Sequence, residues 1–378
     1  MAVSDPIVPR DATAADRPIS VVFCWAEVTG YMAACWQALA RRPGIDLHIL
    51  HTRQIHDTVK NPFDLEPLLG GLSHEMFDGT RADIDEWLLA VVRRHRPDVV
   101  VLCGWIFWPY TRLPQAPELA HVRFVLGMDS PWSGTLRQRL GRLRLAPVIK
   151  RMSAVITAGE RSDEYARRLG VPQNRLHHGY YGFDQSPLAG LGAARRAGGA
   201  WPRRFLFVGR YVPQKDLATL VAAYRAYCGM VEEPWGLTCC GSGPDGHLLD
   251  GVPGLVNAGF TQPAELVGRF RDHGAFVIAS TFEPWGVVLA EAAGSGLPVV
   301  CTTACGAGLD IVRSYYNGLI TPPGDVDALA RAMRWIHEHE AELPEMGERG
   351  RALADAFSAT SWASRWHNLL LAVVANPE

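Results

Sequence analysis

Short apolar runs alternate with segments of helical periodicity along the chain. In the first half these runs occupy positions 19–25, 46–50, 98–103, 123–126 and 154–157. Between two of them, the apolar residues of positions 82–94 recur every three or four residues, which predicts an amphipathic helix. Strands that alternate with helices are typical of a parallel sheet that is covered by helices.

A second alternating series begins at Arg204, with runs at 205–209, 236–241, 276–280 and 298–302. Positions 186–203 separate the two series; they are rich in Gly, Ala and Arg without a regular period, which is typical of a linker. The predicted fold class is therefore α/β, with two Rossmann-like domains that face a central cleft. Ligands of such folds bind beyond the carboxyl ends of the strands, so we expect the functional site in this cleft.

Composition excludes several classes of protein. The 378 residues are 48% hydrophobic and 20% charged, with a formal net charge of −2, unlike a disordered, collagen-like or polytopic membrane chain. The near-neutral balance of charge also argues against nucleic acid as the main partner.

Positions 1–17 are expected to be a disordered tail; they contain acids and prolines where a secretory signal has an apolar segment. The eight cysteines lie mostly in apolar runs, which favours reduced thiols in a cytoplasmic protein.

One loop places two cations directly after a predicted strand. Gly209 ends the run 205–209, and Arg210 and Lys215 follow before the next helix. Lys215 is one of only three lysines in the chain. Two cations at a strand exit would stabilise the charge that develops on a diphosphate leaving group. The alternative interpretation is a solvated basic loop.

Two glutamates flank the start of another predicted helix. Glu283 follows the run 276–280 and precedes a proline, so it should lie at the carboxyl edge of the sheet. The helix should begin near Gly286, which would bring Glu291 into the same cleft. Carboxylates accept the paired hydrogen bonds that sugar diols offer, and the amides at a helix N-terminus suit phosphate.

These motifs resemble the C-terminal domain of family-4 retaining glycosyltransferases. The resemblance covers residues 204–360 and rests on four segments in the same order: VGRYVPQK, LTCCGSGPDGHLL, STFEPWGVVLAEAAGSGLPVVCT and NGLITPPGDVDALARAM. It implies the GT-B fold, with residues 204–360 as the nucleotide-sugar domain and residues 18–185 as the acceptor domain. It also implies that residues 361–378 form a helix that packs back on the N-terminal domain.

The resemblance implies a role for each matching residue. Arg210 and Lys215 would bind the diphosphate, Glu283 the sugar hydroxyls and Glu291 the ribose. Backbone groups near the sugar and phosphates would come from Gly209, Gly286, Val287 and Val288. The implied reaction is a metal-independent, retaining hexosyl transfer from a nucleotide-diphosphate sugar, without any cofactor, in which the leaving phosphate serves as the base.

The N-terminal half departs from the family pattern at the acceptor side. Gly30 keeps one glycine of the usual pair after the first strand, whereas Tyr31 replaces the second and would narrow the site. The histidine that the family often carries near the reacting sugar is absent, and Asp129 stands in this region. Asp129 either contacts a substrate or caps the following helix.

Other features have structural and functional interpretations. Positions 136–152 carry six basic residues and no acidic residue, interleaved with leucines. This pattern fits either a solvated helix or a peripheral contact with the inner face of a membrane, and Pro147 is expected to interrupt a long helix there.

The pairs Asp83/Asp85 and Asp325/Asp327 have the spacing of a metal motif, but we favour helix positions for both. Five aromatic residues could line an acceptor cleft or pack in the core: Trp105, Phe107, Trp108, Tyr110 and Trp132.

The function predicted from the sequence is glycosyl transfer to a glycan, a lipid-linked acceptor or a small glycoside, as in polysaccharide biosynthesis. Two alternatives stay open. One is a GT-B-fold epimerase or phosphorylase that uses the same phosphate loop, and the other is a sugar-nucleotide-binding subunit without catalysis.

Overall fold

The computed structural model describes residues 17–52 and 65–375. It contains two parallel sheets with helices on their faces, so the predicted α/β class is confirmed. Apart from Arg17, the predicted N-terminal tail lies outside the described residues, as do the last three residues of the predicted terminal helix.

The first sheet has seven strands in the order β3-β2-β1-β4-β5-β6-β7. These are β1 (Ile19–Trp25), β2 (Ile45–Thr52), β3 (Ser73–Phe77), β4 (Val99–Leu102), β5 (Arg123–Met128), β6 (Met152–Thr157) and β7 (Leu176–His178). The helices that accompany it are α1 (Gly30–Ala40), α2 (Leu65–Leu69), α3 (Ile84–His95), α4 (Leu136–Lys150) and α5 (Glu160–Leu169). Five of the strands coincide with the predicted apolar runs. Strands β3 and β7 lie at the two sheet edges, where short, polar segments give no apolar run.

The second sheet has six strands in the order β10-β9-β8-β11-β12-β13. These are β8 (Arg204–Val208), β9 (Gly236–Cys240), β10 (Leu255–Gly259), β11 (Ala275–Val277), β12 (Val299–Thr302) and β13 (Gly318–Thr321). Its helices are α7 (Leu217–Cys228), α8 (Pro263–Arg271), α9 (Val287–Gly294), α10 (Gly306–Ile311), α11 (Val326–Glu338) and α12 (Leu343–Ala354). The central strands are buried on both faces, which is why they read as continuous apolar runs.

Two local predictions were wrong. The segment 186–203 is not irregular throughout, because it contains the helix α6 (Leu191–Ala197). The buried guanidinium of Arg195 in this helix donates hydrogen bonds to the carbonyl groups of Phe270 and Gly296 and so fixes it to the second domain. Pro147 does not interrupt the basic helix: α4 continues through it to Lys150, although the ring removes one backbone donor, because the neighbouring Leu145, Val148 and Ile149 are buried in the core of the first domain.

The last helix, α13 (Ala359–Ala375), returns to the N-terminal domain and packs against α1, as predicted. Two indoles anchor it: Trp362 donates to the carbonyl of Tyr180 at 2.9 Å, and Trp366 donates to that of Gly179 at 3.2 Å. Both rings pack on Phe23 of β1.

Among the helices in the described part of the chain, none combines the length and the apolar content needed to cross a membrane.

We expect Trp362→Ala to lower the free energy of unfolding by about 3–5 kcal/mol, because a fully buried indole and its hydrogen bond are lost. The matched control is Leu371→Ala on the same helix, where the side chain is 45% exposed. Denaturant unfolding measures both changes. An equal loss in the two variants would show that the indoles do not anchor α13.

Candidate active site

A cavity of about 750 Å³ lies between the two domains, at the carboxyl ends of the strands of both sheets. Its walls come from the loops that follow β1 and β5 on one side and β8, β9 and β11 on the other. The structure brings all of the sequence-predicted site residues to this cavity: Gly30, Tyr31, Asp129, Gly209, Arg210, Lys215, Glu283, Gly286, Val287, Val288 and Glu291.

The central feature of the cavity is an ion pair between Lys215 and Glu283. The two residues follow β8 and β11, which are adjacent parallel strands, so their loops leave the sheet side by side. The backbone N–H of Thr281 donates to the carbonyl of Gln214 at 2.9 Å and ties the loops together. The side chains of Lys215 and Glu283 are only 11% and 13% exposed, so each charge depends on the other for compensation.

Arg210 provides a second cation on the same loop. Its side chain is exposed, and it has neither an ion pair nor a hydrogen bond with any residue in the two described ranges. An unpaired guanidinium at the wall of a cavity is available for an anion, and its planar donors match phosphate oxygens.

The N-terminus of α9 faces the cavity. Gly286 precedes the helix with φ 92°, a conformation that favours glycine. A Cβ atom there would also lie 2.8 Å from Cγ of Glu283, so a side chain would displace the carboxylate. Gly286, Val287 and Val288 all line the cavity, and the first N–H groups of a helix have no partner within it. This end of α9 therefore offers donors and a positive dipole to an anion.

Glu291 lies one turn further along α9 and borders the cavity. Burial of its carboxyl group raises the pKa of Glu291 to about 7, and the negative charge of Asp184 also raises it. The carboxyl group therefore titrates near neutral pH and can both donate and accept hydrogen bonds.

Asp129 follows β5 on the opposite wall. Its carboxylate accepts a hydrogen bond of 2.8 Å from the hydroxyl of Tyr181, and burial raises its pKa. It does not cap the next helix: α4 begins seven residues later, and its first turn is capped by Thr135, which accepts from the amide of Gln138. The helix-cap interpretation is therefore wrong, and Asp129 is a polar group of the cavity.

Gly30 and Tyr31 lie in the first turn of α1, not in a loop. A Cβ atom on Gly30 would come 3.6 Å from Pro263, so the second domain approaches closely here. The ring of Tyr31 packs edge-on against Tyr181 at 5.8 Å, and burial raises the pKa of Tyr31 to about 12. Tyr31 thus narrows the N-terminal side of the cavity with a neutral hydroxyl.

Sequence reasoning missed three residues that connect the domains around the cavity. The hydroxyl of Tyr181 donates to Asp129, and its ring packs against Trp285 across the cleft, tilted by 37° with centroids 6.0 Å apart. The indole of Trp285 donates to Asp310 at 2.7 Å. Arg161 of α5 donates to the carbonyl of Ala304 in the second domain at 2.7 Å. Only the aromatic side chains beside the glycines of the YYGF and EPWG segments could have indicated such contacts.

Several other candidates lie away from the cavity. The five aromatic residues discussed above do not line it, and Phe107 and Tyr110 pack in the first domain's core. Asp83 pairs with Arg81 and Asp85 with Arg112. Asp325 is the N-cap of α11 and accepts from the amide of Ala328 at 2.8 Å.

Comparison with known proteins shows a family match for the second domain. Residues 200–353 match the family model of the glycosyl transferases group 1. The match includes the loops that carry Arg210, Lys215, Glu283 and Glu291. The match agrees with the resemblance that the motifs of this part of the chain predict.

Curated relatives are similar over longer stretches but at low identity. A glycogen synthase of Mycobacterium tuberculosis is 26% identical over 280 residues, which are 70% of this chain and 66% of that enzyme. The D-rhamnosyltransferase WbpZ of Pseudomonas aeruginosa is 25% identical over 65% of this chain and 66% of the relative. An exopolysaccharide phosphotransferase of Streptomyces coelicolor is 27% identical over 44% of this chain and 18% of its own length. The chain therefore spans at most 66% of each of these relatives.

Solved structures share the fold over nearly the whole chain. HepE of Anabaena, crystallised with UDP and glucose, has a TM-score of 0.72 at 18% identity, covering 94% of this chain and 100% of that one. Sucrose-phosphate synthase of Thermosynechococcus elongatus has a TM-score of 0.70 at 18% identity, covering 94% and 99%. At these identities the likeness establishes the fold, which is the predicted two-domain GT-B architecture.

Proposed function

We propose that this protein is a retaining glycosyltransferase that moves a sugar from a nucleoside-diphosphate sugar to an acceptor hydroxyl. The observation that carries the proposal is the convergence of Arg210, the Lys215–Glu283 pair and the N-terminus of α9 on one cavity between two Rossmann-like domains. The family match over residues 200–353 supports the same reaction class.

In this proposal the cations and the helix stabilise the leaving diphosphate. Arg210 and Lys215 balance its growing negative charge, and the amides of Gly286, Val287 and Val288 donate hydrogen bonds to the phosphate and sugar oxygens. These groups supply the positive charge that a divalent metal ion would otherwise provide. We therefore propose that the transfer needs no metal ion. The leaving phosphate oxygen accepts the proton of the attacking hydroxyl, which enters from the same face of the sugar.

The carboxylates position the donor in the proposed complex. Glu283 accepts hydrogen bonds from sugar hydroxyls while it holds Lys215 beside the diphosphate. Glu291 accepts from the ribose. On the other wall, Asp129 and Tyr31 contact the acceptor, and the Tyr181 hydroxyl holds the Asp129 carboxylate in place.

Donor hydrolysis and transfer should both depend on the charged pair. We expect Glu283→Gln and Lys215→Ala to reduce kcat by about 10²–10³-fold, because each variant removes a group that acts on the leaving diphosphate or its sugar. Arg210→Ala should mainly weaken the binding of uridine diphosphate, which calorimetry measures. Arg331→Ala, an exposed arginine on the outer helix α11, is the matched control.

The outcome also separates the alternatives that the sequence left open. Donor binding without any turnover would indicate a sugar-nucleotide-binding subunit, and epimerised or phosphorolysed sugar without an acceptor would indicate the other enzyme classes. Full activity of Glu283→Gln would contradict the proposed role of this carboxylate.

Donor affinity should fall as the pH is lowered through 7. The pKa of the Glu291 carboxyl group is raised to about 7, so only roughly one-tenth of it is ionised at pH 6. If the ionised form accepts the ribose hydroxyls, the Kd for uridine diphosphate rises about tenfold between pH 8 and pH 6. Glu291→Gln is the control. It removes the titrating carboxyl group of the protein, so any pH dependence that remains comes from the phosphate of the ligand. Equal pH profiles for the two proteins would contradict the role of Glu291.

We also propose that the acceptor side works at an anionic lipid surface through α4. Leu136, Leu140 and Leu143 form an exposed apolar stripe, with 75%, 65% and 77% of their surfaces accessible. Exposed arginines flank the stripe at positions 137, 139 and 142. By contrast, Arg144 stacks on Trp108 and Arg151 donates to the carbonyl of Pro114, so these two cations face the protein. An apolar stripe bordered by cations complements the interface of an anionic bilayer.

Vesicle binding tests this surface. We expect the protein to float with phosphatidylglycerol-containing vesicles and not with phosphatidylcholine vesicles, and to be released by salt. The double variant Leu140→Ser/Leu143→Ser should lose binding, whereas Val256→Ser, at a 49% exposed valine of the second domain, should not. Binding that is unaffected by the double variant would exclude α4 as the contact.

A further inference from the structure

A second group of ligating side chains lies outside the cavity, on the α3 side of the first sheet. His48 is on β2, Glu75 is on β3 and His95 is the last residue of α3. His48 pairs with Ser73 in the sheet register, so Glu75, two residues after Ser73, projects from the same face. The C-terminal end of α3 brings His95 over this face.

The three side chains are close enough to share one ion. One ligand atom from each residue lies within 4.8 Å of the other two. The rings of His48 and His95 stack with centroids 3.7 Å apart and planes at 23°. Tetrahedral coordination with metal–ligand distances of 2.0–2.1 Å places ligand atoms about 3.3 Å apart, so small rotations of the side chains would suffice.

Two buried nitrogens at this point lack partners. Nε2 of His48 and Nε2 of His95 are both inaccessible and have no hydrogen-bond partner among the described residues. His48 as a whole is only 9% exposed. A buried polar atom without a partner costs free energy, so its presence on two adjacent rings requires an explanation.

The hydrogen bonding of His48 is suited to metal binding. Its Nδ1 lies 2.7 Å from Oγ of Ser73. In the tautomer in which Nδ1–H donates to this oxygen, Nε2 carries a lone pair, and the hydrogen bond fixes the orientation of the ring, as such bonds do for metal-bound histidines. Burial lowers the pKa of His48 to about 4 and also lowers the pKa of His95, so both rings are neutral and available as ligands at neutral pH.

We propose that His48, Glu75 and His95 bind a divalent transition-metal ion, with Zn²⁺ as the best match, in a site that is separate from the proposed transfer reaction. Two imidazole nitrogens and one carboxylate oxygen are a ligand set that zinc accepts, and a water molecule would complete the coordination. Arg94 contacts one oxygen of Glu75, which leaves the other for the ion. The metal would fasten the end of α3 to the edge strand β3 and its neighbour β2.

Metal titration of the full chain, freed of metal by chelation, tests the proposal. We expect calorimetry to show one equivalent of Zn²⁺ bound, together with a rise in Tm. Co²⁺ should give the intense visible absorption of a four-coordinate site with nitrogen and oxygen ligands. His95→Ala and Glu75→Gln, at half-buried positions that need not unfold the sheet, should abolish the stoichiometric site and the spectrum.

Two further variants make the test specific. Ser73→Ala should weaken Zn²⁺ binding about 10–100-fold, because the ligand His48 loses the group that orients it. His74→Ala is the matched control: this exposed histidine is also on β3, but it contacts His51 on the opposite face. The absence of stoichiometric binding, or equal binding by wild type and His95→Ala, would overturn the proposal. So would loss of the site in His74→Ala.

Discussion

The arrangement of the cleft depends on the charge balance between Lys215 and Glu283. Neither side chain reaches water freely, so the ammonium and the carboxylate stabilise each other and hold both loops in place. In the proposed complex, a diphosphate would meet the ammonium of Lys215, already held by its carboxylate partner, and the guanidinium of Arg210, which has no partner among the described residues. The side chains therefore need little reorganisation to meet a developing negative charge, which is the basis of electrostatic preorganisation.

This pair can form only because the sheet places its loops together. Strands β8 and β11 are neighbours although about seventy residues separate them, and parallel pairing puts their carboxyl ends at one edge. Gly286 then lets the chain turn sharply into α9 without pushing the carboxylate of Glu283 aside. Tyr181 and Trp285 connect the two walls, while α13 joins the end of the second domain to the first sheet.

The two proposed binding sites differ in their physical basis. The cleft holds opposite charges that compensate each other, together with backbone donors, which suits an anionic substrate that binds and leaves. The His48–Glu75–His95 group contains two buried Nε2 atoms that have no hydrogen-bond partner in the part of the chain that the structure describes, which suits a cation that stays. The apolar stripe of α4 provides a third kind of surface, exposed and bordered by positive charge.

The sequence by itself determined the central strands and the loops that carry Arg210, Lys215, Glu283 and Glu291. It could do so because buried parallel strands produce continuous apolar runs, and because glycine and proline mark the exits of those strands. Only the tertiary structure decided which side chains meet. The Lys215–Glu283 pair, the hydrogen bond from Tyr181 to Asp129 and the stack of His48 on His95 join residues 47 to 68 positions apart, and local patterns carry no information at that separation. Edge strands such as β3, the helix α6 and the passage of α4 through Pro147 were likewise set by packing against distant elements, which local propensity does not contain.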